Sequence, residues 1–278
     1  MLDNISLMRL NEFMIILYAL SVLLYFIDFL HNNRKANRTA FWLLSIVWIL
    51  QTIFLFYQMF INGRFPVLNI FEGLYFYTWV LITLSLALNR FVRVDFIVFF
   101  TNVIGFMMMA IHIFAPSNAV SAEVSSQLIS ELLLIHITMA ILGYGAFSLS
   151  FAFSLLYVIQ YNLLKKKKWG KRLIRIQDLA KLDHMSYVLN VIGVPILLLG
   201  IILGVIWAYI KLPDFHWYDT KVLGSFMVIA IYSFYLYSRI VKEWQGRTVA
   251  LLNIASFFVL LINFFLFGSL SRFHFWYS

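Results

Sequence analysis

Apolar runs of about 18 or more residues recur along the whole of this 278-residue chain, separated by short polar breaks. A helix of that length spans the hydrocarbon core of a bilayer. In lipid the backbone must satisfy its own polar groups, so a chain built this way can fold as a bundle of membrane helices and as little else. The charged fraction, 12%, is about half that of an ordinary soluble domain, and 63% of the residues are hydrophobic. A soluble reading would require one wholly buried helix after another.

Eight spans are predicted, near residues 10–30, 40–60, 71–88, 96–114, 132–161, 187–210, 222–240 and 249–270. The expected fold class is all-α: a polytopic membrane helix bundle forming a single integral membrane domain over 1–278. The fifth span is long enough to project beyond the bilayer as helix. The N-terminus lacks the basic start and small-residue cleavage site of a signal peptide. With no cysteine, disulfide, thiolate-metal and thioether-attachment chemistry are excluded for this chain's own residues.

The net charge of +9 reads as topology rather than as nucleic-acid binding, because of where the cations fall. Alternate loops with their flanks hold Arg34, Lys35, Arg38, Arg90, Arg93, Lys165 to Lys168, Lys171, Arg172, Arg175, Lys181, Arg239, Lys242 and Arg247. The other side holds Arg9, Arg64, Lys211, Lys221 and Arg272. This bias predicts both termini outside the cytoplasm. The lysine run at 165–168 suits a stop signal and a contact with anionic lipids, or a docking site for a cytoplasmic protein over 164–185. The spacing from Leu173 to Leu182 predicts a short amphipathic helix on the inner surface. Gly200 and Gly204 share one face of the sixth span and predict a close helix–helix approach.

On this topology His112, His136, His216 and His274 share the outer face, whereas His31 and His184 lie among inner basic residues. A small metal ion would want several close ligands, often including a carboxylate. Haem needs one or two axial ligands and an apolar, aromatic-lined slot, and basic side chains at its rim can pair with the propionates. The loop 211–221 supplies Phe215, Trp217 and Tyr218 between Lys211 and Lys221. Composition alone leaves open whether this is an interfacial aromatic belt or a cofactor platform. The sequence contains no nucleophile–base constellation, so an enzyme is not expected.

Spacing adds a resemblance. The loop is similar to the tryptophan-rich outer loop of the cytochrome c assembly family, to which the CcsA and ResC proteins belong. That loop has the form Trp-Ala-x-x-x-Trp-Gly-x-x-Trp-x-Trp-Asp-Pro-Lys-Glu. Trp207 and Ala208 match its start, and Asp219 and Lys221 match its end without a gap. Between them Leu212 and Pro213 replace Trp-Gly, and His216 and Tyr218 replace the other two tryptophans. Thr220 and Val222 replace the proline and the glutamate.

Further stretches resemble the same family: Leu182-Asp183 through Ser186-Tyr187, Asn69 through Glu72 and on to Trp79, His136 through Tyr144, and the ending around His274. Together they cover residues 68–278. By this resemblance His136 and His274 stand where the family places two outer axial haem ligands. Trp207, His216, Trp217, Tyr218, Asp219 and Lys221 line the cofactor loop. The family's inner histidine, in Tyr-Leu-His-x-Arg, is Tyr237 here, which puts an imidazole-based inner site in doubt.

The altered loop and eight spans look like the HemX-type branch of the family. That likeness implies non-covalent haem b, a bacterial cytoplasmic membrane, and negative control of the amount of glutamyl-tRNA reductase. A haem exporter or cytochrome c assembly subunit is the alternative. A haem-free scaffold is a third reading, with Glu72 as its ion handle.

The topology is tested with a reporter that is active only outside the cytoplasm. Fused after residue 278 it should be active, and fused at residue 170 it should be silent. The reverse pattern would move every histidine to the opposite face.

Overall fold

The computed structural model describes residues 2–67, 70–91, 96–114, 130–167, 178–212, 215–268 and 270–271. Eight α-helices follow in chain order: α1 (Leu2–His31), α2 (Arg34–Asn62), α3 (Ile70–Phe91), α4 (Ile97–Phe114), α5 (Glu131–Lys165), α6 (Leu179–Lys211), α7 (Thr220–Ile240) and α8 (Arg247–Ile262). α8 runs on into a π turn over Asn263–Phe267. No strand occurs among the described residues. Seven of the helices are long and apolar enough to cross a membrane, and α4 is shorter.

Each helix lies where an apolar segment predicts it, and the ends are set by local chemistry. Asn33 caps α2 by accepting from the Lys35 and Ala36 amides, and Gly63 at φ 61 stops it. Ser130 accepts from the Leu133 amide at the start of α5. Asp219 does the same for the Lys221 amide at the start of α7. At 35 residues α5 is about 52 Å long, against a hydrocarbon core of about 30 Å, so its projection beyond the bilayer follows from length alone. The separate amphipathic helix expected over 173–182 lies partly outside the described residues. Its described part, Leu179 to Leu182, is the first turn of α6. There the Asp178 carbonyl accepts from the Lys181 and Leu182 amides and joins the stretch to the span that follows.

The chain divides into two compact units. Of the described residues, those from 2 to 114 form the first, and those of 130–167 and 178–271 form the second. In unit 1, α1 to α4 are tied by polar contacts inside an otherwise apolar bundle. The Trp48 indole donates to Thr83, and the Trp79 indole donates to Thr52, each at 2.8 Å, which cross-links α2 and α3 twice. Tyr18 of α1 donates to the Asn102 side chain of α4 at 2.8 Å, and Asn102 donates to Ser85 of α3 at 2.9 Å. Glu72 pairs in bidentate fashion with Arg64, at 2.9 and 3.0 Å.

In unit 2, α5 and α6 pack through glycines. A Cβ on Gly193 would lie 2.9 Å from the Phe147 ring, and one on Gly200 would lie 3.2 Å from the Ala140 backbone nitrogen. The Phe147 ring stacks on Tyr232 of α7 with centroids 3.8 Å apart. Below this contact five buried polar side chains from α5, α6 and α8 meet. Asn253 donates to Ser150, Ser154 and Ser186 at 2.7–3.0 Å, and Asn190 donates to Asn253 at 2.9 Å. Nearer the start of α6, Asp183 and Arg239 form a bidentate pair, with the guanidinium 5.1 Å from the Tyr187 ring centroid.

The Asn253 amide is the hub of this network, so Asn253→Leu should leave the Asn190 amide without its Asn253 acceptor and the serine hydroxyls with only one another and the Ser186 carbonyl. An interhelical hydrogen bond in a membrane contributes about 0.6 kcal/mol, whereas an orphaned buried polar group costs about 1–3 kcal/mol. The second effect dominates. Thermal unfolding in detergent should show Asn253→Leu melting several degrees below the native chain.

Candidate functional site

The site is assembled at one end of unit 2, where the start of α5, the end of α6, the start of α7 and the end of α8 come together. His136 sits just over one turn into α5. Its Nδ1 lies 2.6 Å from the Gly200 carbonyl of α6. A carbonyl only accepts, so Nδ1 carries the hydrogen and donates. In the neutral ring this leaves the Nε2 lone pair as the free ligand position, while the carbonyl fixes the ring's orientation and raises its basicity.

Gly204 makes that placement possible. A Cβ there would stand 2.5 Å from the imidazole Cε1 and 2.6 Å from Nδ1. The imidazole thus lies in the notch of the Gly200–Gly204 face. The small-residue pair predicts a close helix approach, and the structure shows that approach at Gly200. Its second use, as a seat for the histidine, required knowing which side chain faces it.

Trp207 is buried, at 8% exposure, less than one turn after Gly204, and its indole nitrogen has no hydrogen-bond partner. At the start of α7, Lys221 sends its ammonium to the Asn263 carbonyl at 2.8 Å, and it stands 5.7 Å from the Phe264 ring centroid. The π turn places that carbonyl within reach of the lysine, and such turns are frequent at functional positions. Phe264 also meets the Tyr144 ring edge-on, with centroids 5.7 Å apart. Tyr144 lies two turns beyond His136 on α5, so these contacts tie the lysine side of the site to the histidine's helix.

The other predicted loop residues divide into two groups. Asp219 is buried and caps α7. Its place in the Asp-x-Lys spacing is therefore structural as well: it starts the helix that carries Lys221. His216, Trp217 and Tyr218 form an exposed turn, with Trp217 at 72% and Tyr218 at 57% exposure. The His216 and Tyr218 rings are 5.0 Å apart, and Trp217 meets Tyr218 edge-on at 5.9 Å. They form a rim rather than a lining. His274 lies outside the described residues.

His112 belongs to unit 1, where its Nδ1 is 2.9 Å from the Phe71 carbonyl. Tyr237, at the position of the family's inner histidine, is 48% exposed, with the Lys242 ammonium 5.8 Å from its ring centroid. Asn263 and Phe264 carry no motif, and only the α7–α8 contact reveals them. Among the described residues no three His, Cys, Asp or Glu side chains gather in a way that could hold a metal ion. The described residues therefore offer a small hard ion no cage of such side chains.

A polytopic helix bundle with a half-buried histidine clamped between two spans, beside a tryptophan near the end of one span and a lysine at the start of the next, defines a class of integral membrane proteins. The sequence profile of cytochrome C assembly proteins matches residues 67–274, and the chain belongs to that family. It is 67% identical to Protein HemX of Bacillus subtilis (strain 168), with the whole of both chains aligned. It is 48% identical to Protein HemX of Brevibacillus brevis, over 95% of this chain and 96% of the other. More distantly, it is 29% identical to the cytochrome c biogenesis protein CcsA of Prochlorococcus marinus (strain AS9601), covering 82% and 81%.

Gly204→Ala tests the notch. The added methyl group overlaps the imidazole, and overpacking of this kind costs about 1–3 kcal/mol. The variant should melt several degrees lower. Gly73→Ala, where nothing lies within 4 Å of the new carbon, should melt at or slightly above the native temperature.

Proposed function

We propose that this protein binds haem b non-covalently at the outer face of the cytoplasmic membrane and acts as a negative effector of haem biosynthesis, lowering the amount of glutamyl-tRNA reductase. The observation that carries the binding step is the His136 seat. An imidazole held by Nδ1 on a backbone carbonyl, with Nε2 left over, is the arrangement an axial ligand needs. Haem would bring the iron that accepts this nitrogen and two propionates that require cations.

Each group at this end of unit 2 has a use in that setting. The notch of Gly200 and Gly204 holds the ring edge-on against α6, so the ligand does not rotate. The Trp207 indole supplies a flat apolar face and an N–H that lacks an acceptor. The Lys221 ammonium, held on a neutral carbonyl rather than on a carboxylate, is a cation available to a propionate. The exposed turn of His216, Trp217 and Tyr218 is suited to covering an outer edge. By the family resemblance His274 is the second axial ligand. The charge bias supports an outer location for both termini and for this end of unit 2.

Regulation requires a cytoplasmic surface, and the basic stretch 164–185 is the region proposed to meet the reductase or another cytoplasmic protein, with anionic lipid beside it. Ligation at His136 would bias the α5–α6 contact, and α5 leads directly into that stretch. The similarity to the two HemX proteins favours this reading over haem export. The loss of the inner histidine and the exposure of Tyr237 point the same way, since an exporter needs an inner entry site.

The test is the double variant His136→Ala/His274→Ala. The purified native chain with added haem should show a low-spin bis-histidine spectrum, and the variant should not. In cells the variant should raise glutamyl-tRNA reductase abundance and leave cytochrome c levels unchanged. A fall in cytochrome c with constant reductase would replace the regulator by the assembly reading. An unchanged spectrum would remove His136 as the ligand.

A further inference from the structure

Unit 1 contains a second arrangement that the haem reading does not use. Met109 and His112 are three residues apart on α4 and share one face. Met14 of α1 and Met109 are both fully buried. Two side chains connect them. The Tyr75 hydroxyl of α3 lies 4.0 Å from the Met14 sulfur and donates to the Gln51 backbone carbonyl of α2 at 3.1 Å. The Gln51 amide nitrogen lies 3.6 Å from the Met109 sulfur. The His112 ring meets the Tyr75 ring at a centroid separation of 5.3 Å, and its Nδ1 is directed to the Phe71 carbonyl. As at His136, that bond leaves Nε2 as the free nitrogen.

Packing does not account for this cluster. Gln51 is fully buried in a membrane bundle, its amide donates to a thioether, which is a weak acceptor, and its Oε1 has no partner at all. A leucine would fill the same volume without that penalty. The donors themselves are two thioethers and one imidazole, with no thiolate or carboxylate among them. Such a set is soft and neutral. It disfavours Mg²⁺, Ca²⁺ and Mn²⁺, which want oxygen ligands, and away from water it favours a single positive charge over two. Methionine's three rotatable bonds let both sulfurs turn toward a common ion.

We propose that unit 1 holds a Cu(I) site, with the Met14 and Met109 sulfurs and His112 Nε2 as ligands. The Tyr75 hydroxyl and the Gln51 amide adjoin its two sulfurs. The site stands apart from the haem reading, since it draws on no residue of unit 2.

The experiment is an anaerobic titration of the full chain in detergent against Cu(I) buffered by bicinchoninate. The native protein should withdraw one equivalent, and X-ray absorption at the copper edge should show sulfur in the first coordination sphere. Met14→Leu/Met109→Leu preserves volume and should keep the thermal melt close to native. It should weaken copper binding more than about tenfold and remove the sulfur signal. His112→Asn should also weaken it, and His136→Ala should leave it unchanged. The proposal fails if the native chain takes no copper. It fails equally if a folded methionine double variant binds like the native chain, or if His136→Ala is the substitution that abolishes binding.

Discussion

The contact on which unit 2 depends is the close approach of α5 and α6 over Gly193, Gly200 and Gly204. Two helices in lipid have no water to expel between them, so their association rests on van der Waals contact and on hydrogen bonds across the interface. Glycine brings both within range. At Gly193 it admits the Phe147 ring, and at Gly200 it brings the backbones together. At Gly204 it admits an imidazole whose donor nitrogen reaches the Gly200 carbonyl. The same small residues that let the helices pack thus give the histidine its seat, and stability and the placement of the imidazole are coupled at one interface.

Buried polarity in the two units follows a common rule with different outcomes. Side chains that hydrogen-bond helices together, such as the Asn253 network and the Trp48–Thr83 and Trp79–Thr52 pairs, meet their partners inside the protein. Among the described residues several buried polar atoms are left over, one of them on Asn190 within the Asn253 network. The Trp207 indole nitrogen and the Gln51 side-chain oxygen are two of them, and each lies in the unit that offers an imidazole with an open Nε2. In a medium that penalises every unpaired donor or acceptor, such residues persist against a physical cost.

Two of the positions that depart from the resembled tryptophan motif lie in an exposed turn. His216 and Tyr218 stand at family tryptophan positions in the 211–221 loop, and both lie in the exposed turn. Trp207, which matches the start of the motif, is buried, and Asp219 and Lys221, which match its end, hold the α7 start in place. The retained positions are the ones whose side chains are engaged in the fold at this end of unit 2. The altered ones are mixed: His216 and Tyr218 face outward, whereas Val222 is buried in the first turn of α7.

Most of the architecture was legible in the sequence. The hydrocarbon core sets a length for each span and forbids exposed backbone, so apolar runs translate directly into helices. Caps at Asn33, Ser130 and Asp219 are local and equally readable. The family motif pointed to His136, Trp207 and Lys221. What one dimension could not supply was adjacency. Nothing in the spacing of residue 136 and residues 200–204 says that an imidazole fills the notch between two glycines. Nor does it say that Lys221 ends on the carbonyl of a π turn 42 residues away. Those pairings depend on the rotation of each helix about its axis and on its depth against its neighbours. These are set by the fit of many side chains at once, and tertiary packing alone decides them.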